Sequence, residues 1–132
     1  MRILVDTSLW FQYARHLPMP KAVESALDDS NTQACLSPIS VMEIIRKWKS
    51  GKLPCPDPAT WVDKALEGFE SLPITETIAR QAALWEWDHR DPADRLIAAT
   101  AQLHSIELWH SDTVLKSLSG FPQRYFKGPA VQ

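Results

Sequence analysis

Glycine is scarce in this chain, with four among 132 residues, and none stands in a phosphate-cradling arrangement. That excludes a dinucleotide-binding fingerprint and a P-loop. No Gly-x-Ser-x-Gly elbow occurs either, which removes the turn that presents the serine of α/β-hydrolases. Cysteine is scarcer still, at two. Cys35 lies in the apolar Ala34-Cys35-Leu36 and Cys55 among prolines; such a pair reads as two reduced thiols rather than a disulfide framework. There is no Cys-x-x-Cys, and the four histidines lack zinc-site spacing. No apolar run approaches the roughly 20 residues needed to span a bilayer. The first apolar stretch ends at Asp6, so it contains no signal-peptide core. These absences together predict a cytoplasmic protein. An excess of one charge is missing too: fourteen Lys and Arg face sixteen Asp and Glu, for a net charge of −2. No basic surplus advertises a polyanionic partner. Yet if four of the sixteen acids belong to one cation-binding cluster, twelve remain against fourteen bases, and net charge does not exclude such a partner.

What is present is the composition of an ordinary globular domain, 45% hydrophobic and 23% charged, at a length that supports one core and one domain over residues 1–132. Ile3-Leu4-Val5 reads as a buried parallel strand ending at Asp6. Thr7 or Ser8 then caps a helix through about residue 16, carrying Leu9, Trp10 and Tyr13 at helical spacing. A second helix covers 21–29 and a second strand 33–36. Ser37-Pro38 opens a helix running to about Ser50, with serine as cap and proline at the first helical position. Residues 60–69 read as helical, 72–74 as strand and 75–87 as helix. Asp91-Pro92 starts a helix to His104, followed by a strand over 106–109, a short helix after Ser111 and a last strand near Tyr125-Phe126. Strands alternating with helices imply right-handed crossovers and a parallel sheet covered on both faces. The fold class is α/β.

In such sheets ligands bind at the carboxyl ends of the strands. Asp6 follows the first strand directly, and Asp112 follows the 106–109 strand by three residues. Asp94 lies in the first turn of its helix and Glu43 in the second turn of the helix from Pro38. Carboxylates that converge raise each other's pKa, a cost that a divalent cation removes. Oxygen donors suit Mg²⁺ or Mn²⁺, and with a metal-bound water as nucleophile the cluster becomes a site for attack on a phosphodiester. Each acid also has a plainer role. Asp6, Asp91 and Asp112 can cap helices, and Ser40-x-x-Glu43 fits a capping box. Periodicity sets Glu43 opposite the stripe Val41, Ile44, Ile45 and Trp48, on a solvated face. The tryptophans at helical spacing fit core packing better than base stacking, and Arg46, Lys47, Lys49 and Lys52 form either a phosphate contact or a solvated face.

Taken in order, Ile3-Leu4-Val5-Asp6-Thr7-Ser8, Ser37-Pro38-Ile39-Ser40-Val41-Met42-Glu43-Ile44, Asp91-Pro92-Ala93-Asp94-Arg95-Leu96-Ile97-Ala98-Ala99-Thr100-Ala101 and Ser111-Asp112 resemble the PIN domain, and within it the VapC-type toxin ribonucleases of bacterial toxin–antitoxin pairs. The resemblance implies a five-stranded parallel sheet flanked by helices and Mg²⁺- or Mn²⁺-dependent endoribonuclease activity leaving a 5′-phosphate and a 3′-hydroxyl. It maps the family's four acids to Asp6, Glu43, Asp94 and Asp112, with Asp6 and Asp94 as the firmest metal ligands. Glu43 would then line the cleft, Thr7 or Ser8 would support the ligands by hydrogen bonding, and Asp91 would remain a cap. A homodimer and a small antitoxin partner are also implied, the latter assigned to an apolar groove at Leu9, Trp10 and Tyr13. One departure stands out: His110 replaces the small hydroxyl residue usual two positions before the fourth acid. The rival readings are a catalytically silent RNA- or protein-binding module, and a phosphatase or DNA-directed nuclease on the same scaffold.

Overall fold

The computed structural model describes residues 1–128; the last four residues of the predicted domain lie outside the described part. The elements run β1 (Arg2–Val5), α1 (Thr7–Ala14), α2 (Lys21–Asp28), β2 (Gln33–Leu36), α3 (Pro38–Lys49), a 3-10 turn (Pro58–Thr60), α4 (Val62–Ala65), β3 (Phe69–Ser71), α5 (Glu76–Leu84), α6 (Pro92–His104), β4 (Glu107–His110), α7 (Thr113–Lys116) and β5 (Gln123–Tyr125). The five strands form one sheet in the order β3-β2-β1-β4-β5, every neighbouring pair parallel.

Alternate side chains of a strand point to opposite faces, and in β1 both faces are apolar. Ile3 and Val5 pack with Leu36 and Trp109 beneath Leu9, Trp10, Val23 and Ile44 of α1, α2 and α3. Leu4 packs with Cys35 and Leu108 beneath Ile97, Ala98 and Ala101 of α6. This is why short, continuously apolar strands succeed here: helices bury them from both sides. No helix among the described residues is long and apolar enough to cross a membrane.

Several boundaries differ from the sequence reading, each for a local reason. The cap of α1 is Asp6, whose side chain accepts the Leu9 N–H, rather than Thr7 or Ser8. That helix ends at Ala14, two residues before His16 takes a left-handed φ of 54°. The cap of α3 is Ser37, bonded to the Ile39 N–H, so Ser40 and Glu43 form no capping box; Ser40 lies inside the helix, fully buried. The third strand lies at 69–71 and not 72–74, because Gly68 (φ 82°) turns the chain into it and Pro73 has no N–H for the ladder. The helical reading of 60–69 is reduced to the 3-10 turn and α4. The fourth strand starts one residue late, after Ser105 (φ 54°) ends α6 in a left-handed cap. The last strand ends at Tyr125 rather than including Phe126.

A larger correction concerns the predicted apolar groove. Leu9 and Trp10 are 0% exposed. They are core residues beneath the sheet, and the Trp10 indole N–H is held by the Ala65 carbonyl at 2.8 Å. Tyr13 is half-buried and donates to Asp28 at 2.6 Å. Helical spacing of aromatics marked an inward face here, and no groove is open at these three side chains.

Candidate active site

The strand order reverses beside β1: the chain leaves it for β2 and β3 on one side, and β4 and β5 return on the other. The crevice at such a switch point lies beyond the carboxyl ends of the two central strands. Asp6 follows β1, its N–H bonded to the Trp109 carbonyl of β4 at 3.1 Å, and Ser111 and Asp112 follow β4. The second turn of α3 brings Glu43, and the first turn of α6 brings Asp94. All four acids line one pocket of about 500 Å³, together with Asp91, Thr7 and Ser8.

Asp6 and Asp112 both perform their plainer role while facing this pocket. Each caps a helix, Asp6 through Leu9 and Asp112 through the N–H groups of Val114 and Leu115. Asp91 caps α6 through Ala93 and Asp94. Burial first, then the like charges of Asp94, Asp112 and Glu43, push the Asp6 carboxyl up to about 7 against the Leu9 bond that opposes them. Asp94 is also raised, by burial and by Asp91 and Asp112, with the His89 bond opposing. Glu43 is half-buried, not solvated. Thr7 Oγ1 donates to its Oε1, and the same hydroxyl meets Ser40 Oγ at 2.8 Å.

Sequence reasoning missed three supporting arrangements. His89 Nε2 lies 2.7 Å from Asp94 Oδ2. Arg95 fixes the loop that carries His89: its guanidinium donates to the carbonyls of Ala82, Trp85, Trp87 and His89 at 2.7–3.0 Å. The Asp-Arg pair was visible in the sequence, but a fork engaging four main-chain carbonyls leaves no spacing signature.

The third arrangement explains His110. The Asp112 backbone N–H can only donate, so His110 Nδ1, 3.1 Å away, must accept. Burial holds the imidazole below its ordinary pKa, which leaves the proton of the neutral ring on Nε2. That proton goes to Gln123 Oε1 at 2.7 Å, and the Gln123 amide in turn donates to the Leu118 carbonyl at 2.7 Å. Only one tautomer and one amide orientation satisfy the whole chain of bonds. His110, 0% exposed, therefore fixes the loop that presents Asp112. His110→Ala is expected to cost about 2–4 kcal/mol, the sum of a cavity and an orphaned donor and acceptor, read as a fall in the urea midpoint.

The donor set is all oxygen, as Mg²⁺ or Mn²⁺ requires. Gln12 Oε1 and Ser111 Oγ, both lining the pocket, are buried without a hydrogen-bond partner. Among the described residues no three His, Cys, Asp or Glu side chains close on one point as a cage. The residues thus fit a hydrated ion held by one or two carboxylates, the habit of Mg²⁺, rather than an ion enclosed by all four.

Comparison with known proteins follows the same lines. A chain from VapBC2 of Rickettsia felis, solved bound to a promoter DNA fragment, superposes with a TM-score of 0.74 at 14% identity, over 96% of this chain and 100% of that one. A chain of a toxin–antitoxin complex from Klebsiella pneumoniae gives 0.62 at 26% identity, over 87% and 90%. One from FitAcB of Neisseria gonorrhoeae gives 0.57 at 25%, over 87% and 90%. No curated protein matches the sequence. The family model of the PIN domain matches residues 3–120, a stretch that contains all four carboxylates, β2, β3, β4 and all of β1 but its first residue. The chain belongs to the PIN domain family.

Proposed function

We propose that this protein is a divalent-metal-dependent endoribonuclease and the toxin of a toxin–antitoxin pair. The observation that carries the reading is the convergence of Asp6, Glu43, Asp94 and Asp112 from four separate segments into one pocket. There burial first, and then the neighbouring acids, raise the pKa of Asp6, the most buried member, and among the described residues no Lys or Arg pairs with any of the four. A protein that only bound a partner would have no use for that repulsion, which disfavours the silent module. Asp6 and Asp94 would be the principal ligands for a hydrated Mg²⁺ or Mn²⁺, with Glu43 and Asp112 lining the pocket about its water shell. The bound ion would supply Lewis-acid activation of water and neutralise the phosphodiester. The protein's own work is positioning: the Thr7 hydroxyl holds Glu43, His89 fixes the rotation of Asp94, and His110 presents Asp112. The similarity to a chain of a toxin–antitoxin complex at 26% identity supports an antitoxin partner; a cytoplasmic homodimer rests on the likeness to VapC-type toxins alone. RNA rather than DNA as substrate rests on the likeness to VapC-type toxins.

The test is incubation of purified, antitoxin-free protein with bacterial RNA and Mg²⁺ or Mn²⁺, beside Asp94→Asn and an EDTA control. Cleavage by the unmodified protein alone, abolished by EDTA, is expected, with Asp94→Asn lower by about 10²-fold or more. Equal cleavage by Asp94→Asn would sink the assignment.

A further inference from the structure

The last turns of α3 and the residues just beyond it carry Arg46, Lys47, Lys49 and Lys52, all exposed. Among the described residues none of the four has a carboxylate partner within 4 Å. The helix dipole favours cations at a C-terminus, but it does not explain why all four line the same hollow. That hollow, about 800 Å³, lies between α3 and the start of α6, with Met42 and Pro92 among its apolar walls. It shares Glu43, Lys47 and Asp91 with the carboxylate pocket, so the two adjoin. From Glu43 to Lys49 is six residues, about 9 Å along the helix axis, and Lys52 extends the line.

We propose that this groove seats the single-stranded nucleotides flanking the scissile phosphate on one side. Their phosphates meet Arg46, Lys49 and Lys52, and their unstacked bases lie against Met42 and Pro92. The proposal rests on the nuclease reading above and adds to it a direction along α3 in which the substrate leaves the site. Charge complementarity selects this occupant. A phosphodiester chain satisfies the unpaired cations along the groove and, once a divalent ion is present, the carboxylates at its end. An apolar wall beside the cations suits a base with its face exposed, which a duplex does not offer.

The test is equilibrium binding of a fluorescent single-stranded oligoribonucleotide of mixed sequence, followed by anisotropy against salt in Mg²⁺. It is run in the Asp94→Asn background so that the probe survives. Adding Arg46→Ala, Lys49→Ala and Lys52→Ala together is expected to weaken binding about tenfold or more near 0.1 M salt. The triple change should also flatten the slope of log affinity against log salt by about 2, close to 0.7 for each phosphate no longer neutralised. Met42→Glu, an anion on the apolar wall, is expected to weaken binding as well, and thermal melts confirm that each variant folds. Unchanged affinity and slope in both variants would overturn the groove. So would failure of the parent to bind, or loss of a co-expressed antitoxin with oligonucleotide binding intact, which would assign the surface to protein. A protein that binds as expected but cleaves nothing overturns the nuclease reading alone.

Discussion

Asp6→Asn is expected to make the protein more stable and inactive in one step. The Asp6 carboxyl titrates near 7 in the fold and near 4 when unfolded. Between those values the unfolded chain has released the proton and the folded chain still holds it, so stability falls as pH rises through the window. The full loss is reached above about pH 7 and is on the order of 4 kcal/mol. Asparagine carries no charge and keeps an oxygen for the Leu9 N–H, so the helix cap survives. Urea midpoints of the unmodified protein should decline from pH 5 to 8, whereas those of Asp6→Asn decline less, the raised Asp94 remaining, and exceed them at pH 8. Adding Mg²⁺ at pH 8 should close the gap by raising the unmodified protein alone. Cleavage by the variant should be lost. A midpoint for the unmodified protein that rises across this range would show that Asp6 does not carry the burden assigned to it.

Arg95→Ala is the substitution expected to destabilise most, by about 3–5 kcal/mol. Four carbonyls, Ala82 in the last turn of α5 and Trp85, Trp87 and His89 in the segment joining it to α6, lose their charged donor. Hydrogen bonds to charged groups are individually worth about 1.5–3 kcal/mol without adding fully. The guanidinium also lies 5.5 Å from the ring of Trp87, which stacks on Trp85 at 4.1 Å, and both tryptophans pack on Phe121. Arg95→Lys should recover only a minor part, because one ammonium cannot reproduce a planar fork. Denaturant titration measures the loss. Cleavage at a temperature where the variant remains folded should fall as well, since His89, the partner of Asp94, sits on the freed loop. Full activity with lost stability would separate the loop from the site.

The sheet was legible because its strands are short and apolar throughout, and the acids were legible because motif order survives where geometry is hidden. Glu43 marks the limit of periodicity. The apolar stripe Val41, Ile44, Ile45 and Trp48 puts Glu43 on the far face, but only Ile44 of that stripe is buried and Ile45 is exposed. The helix instead buries Ile39, Ser40 and Ile44, and Glu43 lies beside Ile39 and Ser40, where Thr7 at the start of α1 holds it. Leu9 and Trp10 mark the reverse error, where an aromatic stripe read as a docking face turns inward. His89 and Gln123 gave no signal because each acts through one partner brought near by the fold. His110 stands out in the sequence only as a departure from the family pattern, and its bonds to Asp112 and Gln123 give that departure a structural role.

The placement of β1 between β2 and β4 has a consequence for the timing of synthesis. Asp6 is made well before the strand that pairs with β1 on its other side and Asp112 beyond it, 106 residues later in the chain. At about 5–20 residues per second, roughly 5–20 s separate the two carboxylates on the ribosome. Throughout that interval the nascent chain holds half a crevice, with the repulsion between Asp6 and Asp112 still absent. On the nuclease reading proposed above, a site built in this order stays incomplete beside the messenger and ribosome until β4 and Asp112 have been released and docked.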